Sequence, residues 1–449
     1  MAGPPVTAAP RSLWRSIGST AIIKVVVMGT SGLIGIVTSR MILTHFGVEA
    51  YAQYGLLASL PALLPFADLG IAAIVFNVIA ASDDPRTDER VHRTVVTAFR
   101  ILLVSGPLIA AAAVVVSLLG LWPAILGDGL LPGGSTTALI CAIVFGFAIP
   151  LTVGQRILVG LGRNATQVAA QAVVAPFIFV CVLLAVWLAL PVGDHLAVLS
   201  YLGAALVSVI CLVVAGRAIS PMLGRSIRDV PRIRAVPRVP VLAVVGPMLV
   251  QMIVLPFATQ MDRILLSNLS GSLELARYNL GSQLFGIALQ TISAAGLALW
   301  PIYAKARSSS HVRSPLGPSL VFLAAGALIG AVMAVLSPWL VDFVSDGALQ
   351  LPTALVVGFV ALVGVQAAKY PLGMYMTDDR GLRFQVVPIL VLLPLNIGLS
   401  IVLIGRIGAA GPVWAAVVST LTCQVLPYLW YVRRDLRRRR TEAAAPAAG

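Results

Sequence analysis

Two charged side chains inside long apolar segments are the residues of this sequence best placed to do chemistry. Lys24 lies in the first such segment, and Asp68 lies in the middle of the second, within the stretch LLPFADLG. An ionised group in the bilayer core requires water, a counter-ion or a ligand, so charges there mark functional sites. We therefore take Lys24 as a candidate substrate-binding cation and Asp68 as a candidate ion-coupling carboxylate.

Lys24 belongs to a stripe of small and polar residues that recurs at three- and four-residue spacing along one helical face. The stripe predicts a face turned towards a cavity, where Lys24 contributes to substrate binding. A close helix–helix interface is the alternative, since small residues also let two helices approach. The stripe consists of Thr20, Lys24, Met28, Ser31, Gly35 and Ser39.

Asp68 shares a helical face with Pro61 and Pro65, two residues that remove backbone donors and bend a helix. A carboxylate at this depth could carry a proton, or bind a sodium ion together with the carbonyl oxygens that the prolines free. The alternative is a structural carboxyl group that is hydrogen-bonded to a neighbouring helix or paired with Lys24. The sequence leaves open which ion couples and whether Asp68 couples at all.

Amide side chains mark a second polar face, in the eighth apolar segment. Gln283 and Gln290 lie on one side of the predicted helix, together with Asn279 and Ser293. Amides that faced lipid would lack hydrogen-bond partners, so this face is predicted to point inwards. It either lines the substrate pathway or joins helices, and we include Gln283 and Gln290 among the candidate substrate-binding residues.

Four further cations are predicted to flank the pathway at its two ends. Arg40 and Arg263 lie near the outer mouth, and Arg156 and Lys369 lie near the inner one. Together they would compensate an anionic headgroup on either side of the membrane. For each one alone, snorkelling of the side chain to lipid headgroups is the alternative.

The elements that must position these residues are membrane helices. Hydrophobic residues make up 59% of the 449 residues and charged residues 11%, with a mean hydropathy of +0.98. We predict an all-α polytopic fold of about 12 transmembrane helices, because apolar runs of about 20 residues recur along the chain and each can cross a bilayer. The predicted spans are 17–42, 53–80, 99–121, 137–158, 166–190, 196–216, 239–261, 278–302, 318–341, 352–375, 384–405 and 410–431.

The charge distribution predicts how these helices are oriented. The formal net charge of +14 could suit a nucleic-acid partner, but most arginines fall in alternate loops, as the positive-inside rule requires. We therefore expect both termini to be cytoplasmic, the basic tail to contact anionic membrane lipids, and nucleic acid not to be a partner. The outer side then holds only Arg40, Arg263, Arg277 and Arg406.

The longest inner loop contains six arginines and four prolines and separates two halves of the chain. We predict an N-terminal six-helix lobe at 1–216, a basic cytoplasmic linker at 217–240, a C-terminal six-helix lobe at 241–432 and a basic tail at 433–449. The halves look related, because an arginine, a short polar loop and a tyrosine recur in each, as Arg40 and Tyr54 and as Arg263 and Tyr278. Two related halves around a central site are a common transporter plan.

The sequence contains no enzyme signature, so we expect a transporter without catalytic residues, cofactor or metal. The four histidines lack ligand spacing, and the four cysteines lie inside apolar spans without C-x-x-C spacing. A P-loop is absent as well, so the energy for transport must come from a gradient, the membrane potential or mass action.

The stretch Ser39–Ser82 resembles the start of the polysaccharide (O-antigen, Wzx-type) flippase family. The pattern consists of an arginine, a turn, a Y-G-L start of the second span, a D-L-G and then an asparagine. Here it reads Arg40, Phe46-Gly47, Tyr54-Gly55-Leu56, Asp68-Leu69-Gly70 and Asn77. That family belongs to the multidrug/oligosaccharidyl-lipid/polysaccharide exporter superfamily, which also includes multidrug/cation antiporters and lipid II flippases.

The resemblance implies two six-helix lobes that open alternately to each side of a bacterial cytoplasmic membrane. The implied substrate is an isoprenoid-pyrophosphate-linked oligosaccharide, moved from the inner to the outer leaflet for cell-surface polysaccharide biosynthesis. Glycan assembly enzymes are the partners that such a role would involve.

Other functions stay open. A proton- or sodium-coupled drug or organic-cation antiporter of the same fold would need several acids in the cavity, and Asp68 is the main acid in mid-membrane. A polysaccharide polymerase or ligase would show a large outer loop. A lipid II flippase usually has two more spans.

Overall fold

The computed structural model describes residues 11–64, 71–127, 130–232, 257, 260–297, 299, 302–303 and 314–444. Helices joined by short turns account for nearly all of these residues, and no strand occurs among them. The predicted all-α fold is therefore confirmed.

The described helices of each half follow in chain order. In the N-terminal half they are α1 (Arg11–Ser59), α2 (Ile71–Ala80), α3 (Glu89–Leu118), α4 (Trp122–Leu126), α5 (Gly134–Ala148), α6 (Val153–Gly160), α7 (Asn164–Gln171), α8 (Val174–Trp187), α9 (Ala197–Ala218) and α10 (Met222–Asp229). In the C-terminal half they are α11 (260–269), α12 (Ser272–Leu297), α13 (Leu316–Ser345), α14 (Thr353–Tyr375), α15 (Asp379–Ile407), α16 (Ala410–Thr420) and α17 (Leu426–Ala444).

Ten stretches of the described residues are long and apolar enough to cross a membrane. The first, Val26–Leu63, covers most of the first predicted span and the start of the second. The other nine match the predicted spans 3–6 and 8–12, whereas most of the predicted span 239–261 lies outside the described residues. The chain is therefore a multi-pass membrane protein.

Each half has a turn at a glycine in or next to its first long helix. Gly47 has φ +91 inside α1, and Gly271 has φ +106 between α11 and α12, values that suit a residue without Cβ. The side chains of Ser39 and Tyr51 both bind Gln283, so the chain doubles back at Gly47. In each half a tyrosine follows the glycine by seven residues, which gives the repeated sequence pattern a common structural basis.

Contacts between distant turns define one end of the helical bundle, which we call the Gly47 end. Phe46 lies against Gly193, and the Asn268 side chain donates to the Ile125 carbonyl at 3.3 Å. Ala409 N–H donates to a Glu274 carboxylate oxygen at 2.7 Å. The turns that connect the helices at this end therefore pack on one another across both halves.

The opposite end holds the other set of turns. In the N-terminal half Arg86 donates to the Ala218 carbonyl at 3.1 Å, and His92 lies 3.2 Å from an Asp229 carboxylate oxygen. In the C-terminal half Tyr375 donates to Asp435 at 2.6 Å. We call this the Arg228 end, after an exposed arginine of α10.

The two halves meet mainly where α1 crosses α12. Residues 32–55 of α1 face residues 279–287 of α12, the half of that helix nearer the Gly47 end. Further along α12, Gln290 and Thr291 are exposed, and Leu297 is half exposed. Among the described residues, the contacts between α1 and α12 therefore lie towards the Gly47 end.

Candidate substrate cavity

A cavity of about 540 Å³ lies between the two halves where α1 crosses α12. Its walls come from both arms of α1, from the junction of α7 and α8, and from α11 and α12. Most of the lining is small or polar, and includes Ser31, Gly35, Ser39, Tyr51, Tyr54, Gln260, Arg263, Asn279 and Gln283. Such a lining offers hydrogen bonds inside a membrane and leaves room for a ligand.

Among the described residues that line the cavity, Arg263 is the one with a charged side chain. Its Nε donates to Asn279 Oδ1 at 2.8 Å and its Nη1 to Gln260 Oε1 at 3.1 Å. The guanidinium carbon lies 5.6 Å from the centre of the Tyr278 ring. Neutral amides and a ring hold the guanidinium in place, so its positive charge stays available to an anion.

Asn279 links this arginine to the other half of the molecule. Its Nδ2 donates to the Ala52 carbonyl of α1 at 3.3 Å, and its Oδ1 accepts from Arg263. The side chain is buried, with 5% of its surface exposed. Movement of α1 relative to α12 must therefore disturb the position of Arg263.

Gln283 makes a second link between the halves. Its Oε1 accepts from Ser39 at 2.8 Å and from the Tyr51 hydroxyl at 3.0 Å. Its Nε2 lies beside Gly35, where a Cβ would come to 3.3 Å. The amide thus joins both arms of α1 to α12 and turns its N–H₂ group towards the small-residue stripe.

A buried carboxylate lies directly behind the cavity wall. The Tyr278 hydroxyl donates to Asp262 Oδ2 at 2.9 Å, and both side chains are buried. The Tyr278 ring also packs against Phe359, which stacks on Phe285 with ring centres 5.1 Å apart. One tyrosine therefore connects the carboxylate of Asp262, the guanidinium of Arg263 and the aromatic core of the C-terminal half.

The structure places the predicted site residues in different parts of the molecule. Arg263 and Gln283 line the cavity, as does the stripe of α1 at Ser31, Gly35 and Ser39. Lys24 lies in α1, although its side chain is not described, and Asp68 lies outside the described residues. The role of each in binding or coupling stays a prediction.

Arg40 lies at the Gly47 end, where it contacts the C-terminal half. Its guanidinium donates to the Phe343 carbonyl, stacks over the Phe343 ring at 4.7 Å and lies 3.6 Å from an Asp346 oxygen. These contacts join α1 to the end of α13 rather than to the cavity. Arg40 therefore helps to close this end in the described conformation.

The other three candidates lie outside the cavity lining. Arg156 is exposed on α6 and borders a small gap that Ile71 and Val75 of α2 also line. Lys369 is half-buried on α14, with its Nζ 5.4 Å from the centre of the Tyr370 ring. Gln290 is exposed on α12, beyond the residues of that helix that contact α1.

The lining residues that sequence reasoning did not place in the site include Tyr51, Tyr54, Gln171 and Gln260. The repeated tyrosine of the two halves was a signal for Tyr54, but Tyr51 and Gln260 have no comparable pattern. No cluster of histidine, cysteine or acidic side chains suited to a metal occurs in the described part of the chain.

No protein-family model matches the sequence, and no curated protein is significantly similar to it. Solved structures do match. A multidrug resistance MATE family transporter of the MOP superfamily, in an inward-facing conformation, superposes with a TM-score of 0.71 at 14% identity, over 94% of this chain and 99% of that chain. The lipid II flippase MurJ, in an inward closed conformation, gives 0.68 at 12% identity, over 92% and 87%.

A MATE transporter in complex with MaD3S gives a TM-score of 0.56 at 16% identity, over 95% of this chain and 96% of that chain. At such identities the likeness establishes the fold alone, which this chain shares with these MATE transporters and with MurJ. The predicted superfamily and the Wzx-type family within it stay predictions.

Proposed function

We propose that this protein is a flippase that moves an isoprenoid-pyrophosphate-linked oligosaccharide from the inner to the outer leaflet by alternating access, for cell-surface polysaccharide biosynthesis. The observation that carries the proposal is the sign of the cavity charge. Arg263 lines the cavity, and none of the described lining residues is a carboxylate. A pyrophosphate is bound most strongly by charged N–H donors, whereas an organic cation would be repelled by Arg263.

Lys24 supplies a second cation in this proposal. It precedes Ser31 by seven residues, which is about two helical turns, so the two positions share one face of α1. Ser31 lines the cavity. Lys24 would then meet the substrate on its way in from the Arg228 end.

The remaining candidates act at other stages of the cycle in this proposal. Arg156, Lys369 and Gln290 would contact the substrate while the Arg228 end is open. Arg40 becomes available only when its contacts with α13 break. Asp68 stays the candidate for coupling to a proton or a sodium ion.

The positive-inside pattern gives the orientation that we propose. The Gly47 end would face outwards and the Arg228 end, with both termini, would face the cytoplasm of a bacterium. The described conformation would then be open to the side from which the substrate is loaded. Membrane lipids and glycan assembly enzymes are the partners that this role implies.

A proton- or sodium-coupled drug or organic-cation antiporter is the second candidate. A MATE family transporter shares the fold. The rings of Tyr51 and Tyr54 line the cavity and could stack on an organic cation. Asp262 lies just behind the wall and could supply a negative charge after a rearrangement.

Flipping of a fluorescent undecaprenyl-pyrophosphate oligosaccharide in proteoliposomes tests the proposal. We expect the wild-type protein to flip the lipid. The flipping rate of Arg263→Gln should be lower by about ten-fold or more, which is the effect of losing one hydrogen bond to a charged group. Arg406→Gln is the matched control, because Arg406 is an exposed arginine at the Gly47 end outside the cavity. Its rate should equal that of the wild type.

Uptake of a cationic dye against a proton or sodium gradient, in the same vesicles, tests the second candidate. If the wild-type protein moves the dye but no lipid-linked glycan, the antiporter replaces the flippase. Equal flipping by wild type and Arg263→Gln would remove the cavity charge as the basis of substrate recognition.

A further inference from the structure

A second cavity, of about 760 Å³, lies at the Arg228 end of the N-terminal half, far from the substrate cavity. It lies between the end of α9 and the short helix α10, at the point where the membrane-spanning stretch Ala197–Ala218 stops. The cavity is therefore at the level where lipid headgroups meet water.

The wall formed by α10 is firmly attached to the protein. His92 of α3 lies 3.0 Å from the Ser226 hydroxyl and 3.2 Å from an Asp229 carboxylate oxygen, and its side chain is 1% exposed. Arg100 of α3 donates to the Val230 carbonyl at 2.9 Å and to the Arg232 carbonyl at 3.0 Å. The cavity wall is thus held by a buried histidine and by further backbone hydrogen bonds from Arg100.

Three arginines line this cavity at helical spacing, Arg225, Arg228 and Arg232. Arg225 pairs with Glu89 at 3.4 Å, and Arg232 pairs with Asp229 at 2.9 Å, in both cases near the surface. Arg228 is exposed and has no ion pair or hydrogen bond among the described residues. The balance of charge on the wall is therefore positive, with one guanidinium free to bind an anion.

An apolar track leads from the membrane into the same cavity. Val209, Val213 and Gly216 follow one another at four- and three-residue spacing, so they share one face of α9. The two valines are 42% and 49% exposed, and Gly216 lines the cavity. Ile227, also 46% exposed, lines the cavity beside the arginines.

We propose that this cavity binds the phosphate headgroup of an anionic membrane phospholipid, with Arg228 and Arg225 on the phosphate and an acyl chain along Val209 and Val213. The positive wall, the apolar track and the depth at the end of α9 each match one part of such a lipid. A soluble phosphate compound would also bind the arginines but would make no contact with the apolar track.

Retention of lipid by the full-length protein tests the site, measured by native mass spectrometry with phosphatidylglycerol or with phosphatidylcholine. We expect the wild type to retain phosphatidylglycerol in preference to phosphatidylcholine. Arg228→Gln should reduce the retention of phosphatidylglycerol about five-fold, which is the contribution of one arginine at an anionic membrane surface. Arg90→Gln is the matched control, because Arg90 lies at the same end, is 80% exposed and is absent from the cavity lining. Its lipid retention should stay unchanged.

A second variant keeps every charge. Gly224 lines the cavity, and a Cβ there meets no atom within 4 Å, so Gly224→Trp introduces an indole on the cavity wall with no clash at its Cβ. Loss of phosphatidylglycerol in this variant supports the site, and wild-type retention in both variants would overturn it. Inorganic pyrophosphate is the last comparison: if it binds this site as tightly as phosphatidylglycerol does, the apolar track adds nothing to binding and the lipid assignment is wrong.

Discussion

Gly55 of α1 lies directly against the side-chain amide of Asn279 of α12. A Cβ at position 55 would come within 2.2 Å of Nδ2 and 2.5 Å of Cγ, distances that no folded structure tolerates. The amide cannot turn away at no cost, because Arg263 and the Ala52 carbonyl hold its two ends. The contact between the halves at the cavity therefore requires glycine at position 55, because no larger side chain fits there.

Gly55→Ala should push α1 away from α12 and shift the protein towards a state that is open at the Gly47 end. Overpacking costs about 1–3 kcal/mol, which corresponds to a shift of about five-fold or more in the ratio of the two states. Spin labels at positions 121 and 269, on opposite halves at this end, would report longer distances. Gly286→Ala is the control, since a Cβ there meets nothing within 4 Å, and equal distances in both variants would contradict the argument.

Arg40→Gln should also favour opening at the Gly47 end, and more strongly than Asp346→Asn. Asp346 is 72% exposed, and an exposed ion pair contributes about 0–1 kcal/mol. Arg40 in addition donates to the Phe343 carbonyl and stacks on the Phe343 ring, contacts that Asp346→Asn leaves intact. The same label pair measures both variants, and an equal effect of the two would mean that the ion pair alone carries the closure.

The sequence predicted the helical fold well because the length of each apolar run is visible in the sequence itself and does not depend on how the helices pack. Pro61 was expected to disturb the second span, and α1 does end at Ser59 with a 3₁₀ turn at Leu60–Leu63. The short polar loop of each half was also predicted, and the structure has a glycine turn there, at Gly47 and at Gly271, seven residues before the repeated tyrosine. These features need no knowledge of which helices become neighbours.

The candidate site was predicted only in part, because a sequence gives the depth of a residue but not the direction in which it points. Arg40 and Arg263 were placed at the same depth, yet Arg263 lines the cavity and Arg40 contacts α13. Gln283 was found through a stripe that points inwards, whereas Tyr51 lies in the cavity because α1 doubles back at Gly47. That arrangement is a tertiary property, which periodicity does not contain.

Tyr278→Phe should lower the stability of the protein, although the ring is kept. The change removes the hydroxyl that donates to Asp262 Oδ2 and leaves a carboxylate with 6% of its surface exposed without this donor. An unsatisfied buried polar group costs about 1–3 kcal/mol, and more when it is charged. Unfolding by denaturant in detergent micelles would measure the loss.

Asp262→Leu in the Tyr278→Phe background is the matching control for that prediction. It removes the carboxylate that lost its donor, so the double variant should be more stable than Tyr278→Phe alone. If the double variant is less stable than the single one, Asp262 has other partners that matter more than the tyrosine.

Arg263→Lys should retain part of the flipping activity that Arg263→Gln loses. The guanidinium donates to Asn279 through Nε and to Gln260 through Nη1, and a lysine ammonium lacks this forked geometry. It keeps the positive charge, so we expect a higher apparent KM for the lipid-linked glycan with a smaller change in the maximal rate. Initial flipping rates over a range of substrate densities in the vesicles separate the two quantities. A lysine variant as inactive as the glutamine variant would show that the orientation of the donors, rather than the charge in the cavity, decides substrate binding.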